Sequence, residues 1–325
     1  MSLEQLSAPA MVTWQMTRDC NLACLHCCTE SAPGKALPGE LSREESLRLA
    51  GQIVAAGVPY VMLVGGEPTI VSHFLEVAQT LGRGGVFLKI ETNGQKFGEN
   101  LARSLSELPI RSIQISLDGA TQGTYGKMRP GGKLDAALAA GRMARRFNLP
   151  LEITFAPTRL NIHEAAAVID LALELGAFRF NTGRLMRVGT AAKLWERLEL
   201  SEETYADYYR LLERREKDLS GSIELCFRPF SLAEQADELL QSPPAALLIL
   251  PDGRVKMAAA SPYYCADLKT GSLMDAWQAY RSAWLHPLIR RRLEKVLHDD
   301  KEYSRANEWI ALPHDLPVLN GLTGS

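Results

Sequence analysis

The apolar positions of the first 182 residues keep switching between strand-like runs and helix-like spacing. Residues 11–17 form an apolar, β-rich run that predicts a first strand. Ser42-Arg-Glu-Glu45 reads as a capping box, with Ser42 as N-cap and Glu45 at N3. Leu47, Ala50, Ile53 and Val54 follow at helical spacing, and Gly57 suits the stop. Further strands are predicted over residues 60–64, 86–92, 111–116, 151–156 and 178–182, with helices over 74–81, 101–108, 134–147 and 162–175. Strand and helix alternating at this spacing predict a parallel sheet with right-handed crossovers. The period does not separate an open doubly wound sheet from a curved partial barrel. No strand leads into Gly-x-Gly-x-x-Gly, which argues against dinucleotide binding.

From about residue 190 the pattern changes. A charged amphipathic helix is predicted over 202–217, a strand over 222–226 and a helix over 232–240. Residues 247–250, Pro251-Asp-Gly253 and residues 254–257 read as a β-hairpin, and helices follow over 275–283 and 288–297. The expected division is an α/β unit over 11–190, a small α+β appendage over 195–312 and a loose tail over 313–325.

Composition narrows the function. With 46% hydrophobic residues in 325, a substantial core can be buried. A net charge of −2 leaves no global basic field for nucleic acid or anionic lipid. No signal peptide and no apolar run of membrane-spanning length are seen, so a soluble cytoplasmic protein is expected. There are six cysteines, at 20, 24, 27, 28, 226 and 265, and such clustering reads as metal binding or catalysis before disulfides.

Cys20-Asn-Leu-Ala-Cys24-Leu-His-Cys27 follows the first strand directly. Three thiolates on one short loop can hold three irons of a cubane cluster and leave the fourth iron open, as catalysis at a metal requires. A zinc loop completed by His26 or Cys28, or plain buried cysteines, is the competing reading of the spacing alone. Gly65-Gly-Glu-Pro68 ends the second strand; its glycines would let a ligand approach the backbone, and Glu67 could meet an ammonium group. Glu91-Thr-Asn-Gly94 ends the third strand, Ser116-Leu-Asp-Gly119 the fourth, Thr158 and Asn161 follow the fifth, and Asn181-Thr-Gly-Arg184 the sixth. Each alone is turn chemistry. Together they put polar groups at the same end of every strand, the face that hosts active sites in parallel βα architectures.

These motifs, in this order, resemble those of the radical SAM superfamily over residues 11–190, and Cys20–Cys27 with Ser116-Leu-Asp-Gly-Ala-Thr121 is similar to its SPASM/Twitch branch. The resemblance implies a partial (β/α)6 TIM-like barrel and one 4Fe-4S cluster on Cys20, Cys24 and Cys27, whose open iron S-adenosylmethionine (SAM) chelates. It implies that Gly65, Gly66, Glu67 and Pro68 receive the SAM amino group, and that Ser116 and Arg129 lie near the ribose and carboxylate. It places His26 and Leu185 by the adenine, and Thr92, Asn93 and Asp118 in the same cofactor-binding set. The implied reaction is reductive cleavage of SAM to a 5′-deoxyadenosyl radical, which abstracts hydrogen from a peptide or natural-product substrate. A haem-type precursor or a sugar is the alternative substrate, and a non-catalytic iron–sulfur or zinc protein the alternative class. A flavodoxin- or ferredoxin-type electron donor is implied as partner. With the barrel beginning so near residue 1, a peptide substrate is expected to need a separate recognition protein.

The chain departs from that branch after Pro251-Asp-Gly253, where Met257-Ala-Ala-Ala260 stands in place of an expected cysteine. Cys28, Cys226 and Cys265 cannot supply a four-cysteine site, so an auxiliary cluster is not expected. Cys226 and Cys265 become candidate hydrogen-atom donors, Cys265 on a loop and Cys226 at a strand end, and Cys28 reads as a packing residue.

Overall fold

A computed structural model describes residues 3–228 and 232–312; the expected tail over 313–325 lies outside them. β1 (Met11–Gln15), β2 (Tyr60–Val64), β3 (Phe87–Thr92), β4 (Ile110–Ser116), β5 (Leu151–Phe155), β6 (Arg179–Gly183) and β7 (Glu224–Arg228) lie side by side in chain order, every neighbouring pair parallel. β8 (Ala246–Ile249) adds in parallel to the free side of β1. β9 (Arg254–Lys256), β10 (Tyr263–Asp267) and β11 (Ile310–Ala311) complete the order β11-β10-β9-β8-β1-β2-β3-β4-β5-β6-β7. The 222–226 prediction, placed in the appendage, is therefore β7, and it extends the parallel sheet beside β6. The 254–257 half of the hairpin is β9, antiparallel to β8 as expected.

Local chemistry explains why the βα units start and stop where they do. Ser42 Oγ accepts from Glu45 N at 3.2 Å, and Glu45 Oε2 accepts from Ser42 N at 2.8 Å. This closed capping box starts the helix Arg43–Ala55 and contributes about 1 kcal/mol. The helix Gln122–Met128 escaped the sequence reading because Gly123 and Gly126 depress helix propensity. Thr121 caps it nonetheless, its Oγ1 accepting from Thr124 N at 3.3 Å.

Each strand has two faces with opposite fates. Val12 and Trp14, Val61 and Leu63, Ile113 and Ile115, Ile153 and Phe155 are buried in one continuous core with the covering helices. Burying each such side chain contributes about 1.5–3 kcal/mol. The alternate residues face the concave side, and there the side chains are largely polar. Lys89 Nζ donates to Glu152 Oε2 at 2.7 Å, and Asn181 Nδ2 donates to the same oxygen at 2.6 Å and to Gln114 Oε1 at 3.1 Å. The concave side is thus a polar lumen lying below the cysteine loop. Among the described residues no helix is long and apolar enough to cross a membrane.

Candidate active site

The cysteine loop leaves the end of β1 and is held before any ligand arrives. Glu40 accepts from Thr17 Oγ1 and Arg18 N, both at 2.8 Å, and Asp19 Oδ1 accepts from Cys20 N at 3.0 Å and Gly34 N at 2.8 Å. The far end is tied by Arg18, whose Nε donates to Thr29 O at 3.0 Å. The sequence reading missed these groups, although Asp19 directly precedes the motif and Glu40 follows it by thirteen residues.

All three thiols are free, and each sulfur accepts from an N–H group. Leu22 N reaches Cys20 Sγ at 3.4 Å, Arg129 Nη1 reaches Cys24 Sγ at 3.5 Å, and Ser31 N reaches Cys27 Sγ at 3.3 Å. Asn93 Nδ2 adds a longer contact to Cys20 Sγ at 3.7 Å. N–H donors aimed at sulfur are the environment that thiolates of an iron–sulfur cluster take. Burial pushes the Cys20 thiol up to about 11 and the Cys24 thiol up to about 12, so loading a cluster must displace their protons. Among the described residues no three His, Cys, Asp or Glu side chains are gathered to hold a single ion. Cysteines that each take a different iron of a cubane need not converge on one point.

Asp118 and Arg129 meet behind Cys24. Arg129 Nε donates to Asp118 Oδ2 at 2.6 Å, and His26 Nε2 lies 3.1 Å from the same oxygen. Ala156 N donates to Oδ1 at 2.8 Å. Asp118 is 0% and Arg129 7% exposed. Burial alone would favour the neutral carboxyl, but Arg129 and His26 hold it well below the usual carboxylate range. His26 spends Nε2 on Asp118, and its Nδ1 is buried with no hydrogen-bond partner among the described residues, an open position beside the loop.

The Gly65-Gly-Glu-Pro68 turn packs against the entrance to the cysteine loop. A Cβ on Gly66 would stand 2.0 Å from Asp19 O, so the entrance to the cysteine loop itself requires glycine there. Gly66 N donates to Thr17 O at 2.7 Å, and Glu67 N to Asp19 O at 3.0 Å. The Glu67 side chain, 0% exposed, accepts from Thr69 N and Oγ1 at 3.2 and 2.6 Å, Thr92 Oγ1 at 2.8 Å and Asn93 N at 2.8 Å. It ties the ends of β2 and β3 together. Pro68 starts the short turn that follows.

Ser116 closes β4, half-buried. Thr158 and Asn161 are structural: Asn161 Nδ2 donates to Asp118 O at 3.1 Å and Ala156 O at 3.0 Å. Leu185 is buried with Ala191 and Leu198 in a small cluster against which Leu25 of the cysteine loop packs. Gly189, at φ +64°, passes so close to the loop that a Cβ would meet Cys28 O at 2.4 Å. Thr190 N then donates to Cys27 O at 2.8 Å.

The remaining cysteines need correction. Cys265 is not on a loop: it lies within β10, its Sγ donates to Val255 O at 3.5 Å, and it packs against the main core. Cys226 lies inside β7 rather than at its end, is exposed, and alternates with the core-facing Leu225 and Phe227, which places it on the concave face. Cys28 is not packed away but exposed, beside Lys256.

This geometry matches known proteins. Residues 14–172 match the family profile described as Radical SAM superfamily. The chain belongs to the radical SAM superfamily. It is 33% identical over 218 residues to the mycofactocin maturase MftC of Mycobacterium ulcerans, covering 66% of this chain and 58% of that one. To an AdoMet-dependent heme synthase of Methanosarcina barkeri it is 29% identical over 210 residues, covering 63% and 57%. The chain thus spans less than two thirds of the length of these curated relatives. Streptococcus suis SuiB bound to S-adenosylmethionine superposes with a TM-score of 0.70 at 15% identity, covering 92% of this chain and 72% of that one. anSMEcpe bound to AdoMet gives 0.63 at 13% identity, covering 89% and 84%. These likenesses establish the fold as the α/β, TIM-like partial barrel of radical SAM proteins.

Proposed function

We propose that this radical SAM protein binds one 4Fe-4S cluster through Cys20, Cys24 and Cys27 and cleaves SAM to act on a C–H bond of a peptide or natural-product precursor. The observation that carries the reading is the N–H donor facing each of the three sulfurs on a loop already fixed by Asp19, Glu40 and Arg18. When bound, the cluster supplies one electron that splits SAM into methionine and a 5′-deoxyadenosyl radical able to abstract hydrogen.

The chain's own residues hold and shield. Arg129 and Asp118 brace Cys24; Glu67, Thr92 and Asn93 keep the Gly65–Pro68 turn and the Cys20 side in register; His26, Ser116 and Leu185 shape the space beside the loop. Cys226 is the thiol that the concave face presents to a substrate, and we carry the hydrogen-donor assignment there; the core packing of Cys265 weakens its claim. We place the protein in the cytoplasm with a flavodoxin- or ferredoxin-type reductant, and assign residues 11–190 to the SAM-binding unit.

The peptide reading is supported by similarity to MftC, to the sporulation killing factor maturation protein SkfB of Bacillus subtilis, and by the fold shared with SuiB bound to precursor peptide SuiA. A haem-type precursor is the second reading, favoured by similarity to the heme synthase and to an Fe-coproporphyrin III synthase of Methanosarcina barkeri. Anaerobic reconstitution followed by SAM and dithionite tests the reaction: 5′-deoxyadenosine is expected, and its absence at full iron loading would leave a non-catalytic cluster protein.

A further inference from the structure

β9 places a lysine where a protein interior rarely tolerates one. Lys256 is 3% exposed, lies between Leu248 of β8 and Tyr264 of β10, and its Nζ makes one hydrogen bond, to Ala259 O at 2.7 Å. No carboxylate pairs with it among the described residues. A buried ammonium without a counter-charge is strongly unfavourable, and burial accordingly draws the Lys256 amine down to about 8. Such a group persists at a cost to stability when something else requires it.

What surrounds Lys256 supplies the requirement. It lines a cavity of about 480 Å³ whose other walls include Thr13, Val188, Leu239, Leu248, Met257 and Tyr280. Arg187 and Glu238 also border it, and each already has a partner. The cavity is therefore mostly apolar with one uncommitted cation, the composition of a site for an apolar molecule oriented by a single anionic group. It also adjoins the cysteine loop. The segment carrying Val188 continues into Gly189 and Thr190, which touch Cys28 O and Cys27 O, and Lys256 is the cationic neighbour of Cys28.

We propose that Lys256 is the anchor for a carboxylate of the substrate, whose apolar body fills this cavity below the cysteine loop. The assignment rests on the radical SAM reading for the word substrate, but its test does not. The carboxylate has two sources, a peptide carboxyl group or the side chain of a tetrapyrrole.

The purified full chain is titrated with 8-anilinonaphthalene-1-sulfonate and with its neutral counterpart N-phenyl-1-naphthylamine, by fluorescence. A charge-assisted contact predicts that Lys256→Met weakens the anionic probe roughly ten- to hundredfold. The neutral probe is expected to bind unchanged, and Lys256→Arg to retain most of the anion affinity. Because the substitution removes an unpaired buried charge, Lys256→Met is expected to melt at or above the wild-type temperature. Displacement of the anionic probe by N-acetyl-leucyl-phenylalanine but not its amide identifies a peptide source; displacement by mesoporphyrin but not its dimethyl ester identifies a tetrapyrrole. The proposal is overturned if Lys256→Met binds both probes as wild type does. It is equally overturned if that variant melts lower and loses both probes, which makes the lysine structural, or if acids and their neutral derivatives displace equally. Failure to form 5′-deoxyadenosine would sink the radical reading and leave these binding results standing.

Discussion

Asp118→Asn is the sharpest test of how the site is built. Asn keeps the shape and can still accept from Ala156 N, but it leaves the Arg129 guanidinium, 7% exposed, without its counter-charge. Breaking a buried ion pair from one side costs about 3–5 kcal/mol, and Asn belongs at the low end because part of the hydrogen bonding survives. At about 2.1 cal/mol/K of unfolding entropy per residue, a chain of 325 residues shifts by about 1.5 °C per kcal/mol, so the expected fall in melting temperature is about 4–6 °C. The sign with pH follows from the depressed carboxyl of Asp118. Its stabilisation is fully present above the unfolded value of about 3.9 and fades only as pH falls below that, so the deficit is present in full at pH 7. Arg129→Met added to Asp118→Asn removes the stranded charge and should recover most of the lost stability. It should not recover SAM cleavage, because Cys24 Sγ has then lost the Arg129 donor at 3.5 Å. Thermal melts of the four proteins of the cycle, with 5′-deoxyadenosine quantified for each, separate the two effects. An Asp118→Asn protein melting within about 2 °C of wild type, or single-variant effects that simply add, would refute the coupled lock.

Three further outcomes are expected. Replacing Cys20, Cys24 and Cys27 together with Ala should abolish iron–sulfur absorbance and SAM cleavage, and wild type should carry roughly four irons and four sulfides; iron near eight with two paramagnetic signals would show a second cluster. Cys226→Ala should leave 5′-deoxyadenosine formation normal while changing the product, whereas Cys265→Ala should cost only about 1 kcal/mol of stability; unchanged product and stereochemistry from Cys226→Ala refutes the donor role. Glu67→Gln turns an acceptor into a donor facing Asn93 N or the threonine hydroxyls, so urea denaturation should show a loss of about 1–3 kcal/mol, and an unmoved midpoint would mean that the four-bond knot is not formed.

What could be read from the sequence depended on whether a residue's partner was close in the chain. The six βα units were legible because capping, turn chemistry and core periodicity are local: Ser42 finds Glu45 within one turn, and Val61 and Leu63 announce a core face by alternation alone. The cysteine loop was legible because its three thiols share one short segment. Strand β10 was not, since Pro262-Tyr-Tyr-Cys265 becomes a strand only by pairing with β9. A polar lumen is hidden for a related reason. Lys89, Gln114, Glu152 and Asn181 alternate with apolar neighbours as solvent-facing residues would, and alternation cannot tell water from the inside of a barrel. The same ambiguity concealed the Asp118–Arg129–His26 lock, spread over three segments, and left Lys256 looking like an ordinary hairpin charge. It also misdirected the cysteines, because alternation could not say that Cys226 faces the lumen while Cys265 faces the core. The residues that bear on chemistry are therefore concentrated where local pattern is least informative. Their polarity reads as exposure until the sheet curves around them and gathers Lys89, Gln114, Glu152 and Asn181 into one hydrogen-bonded lumen.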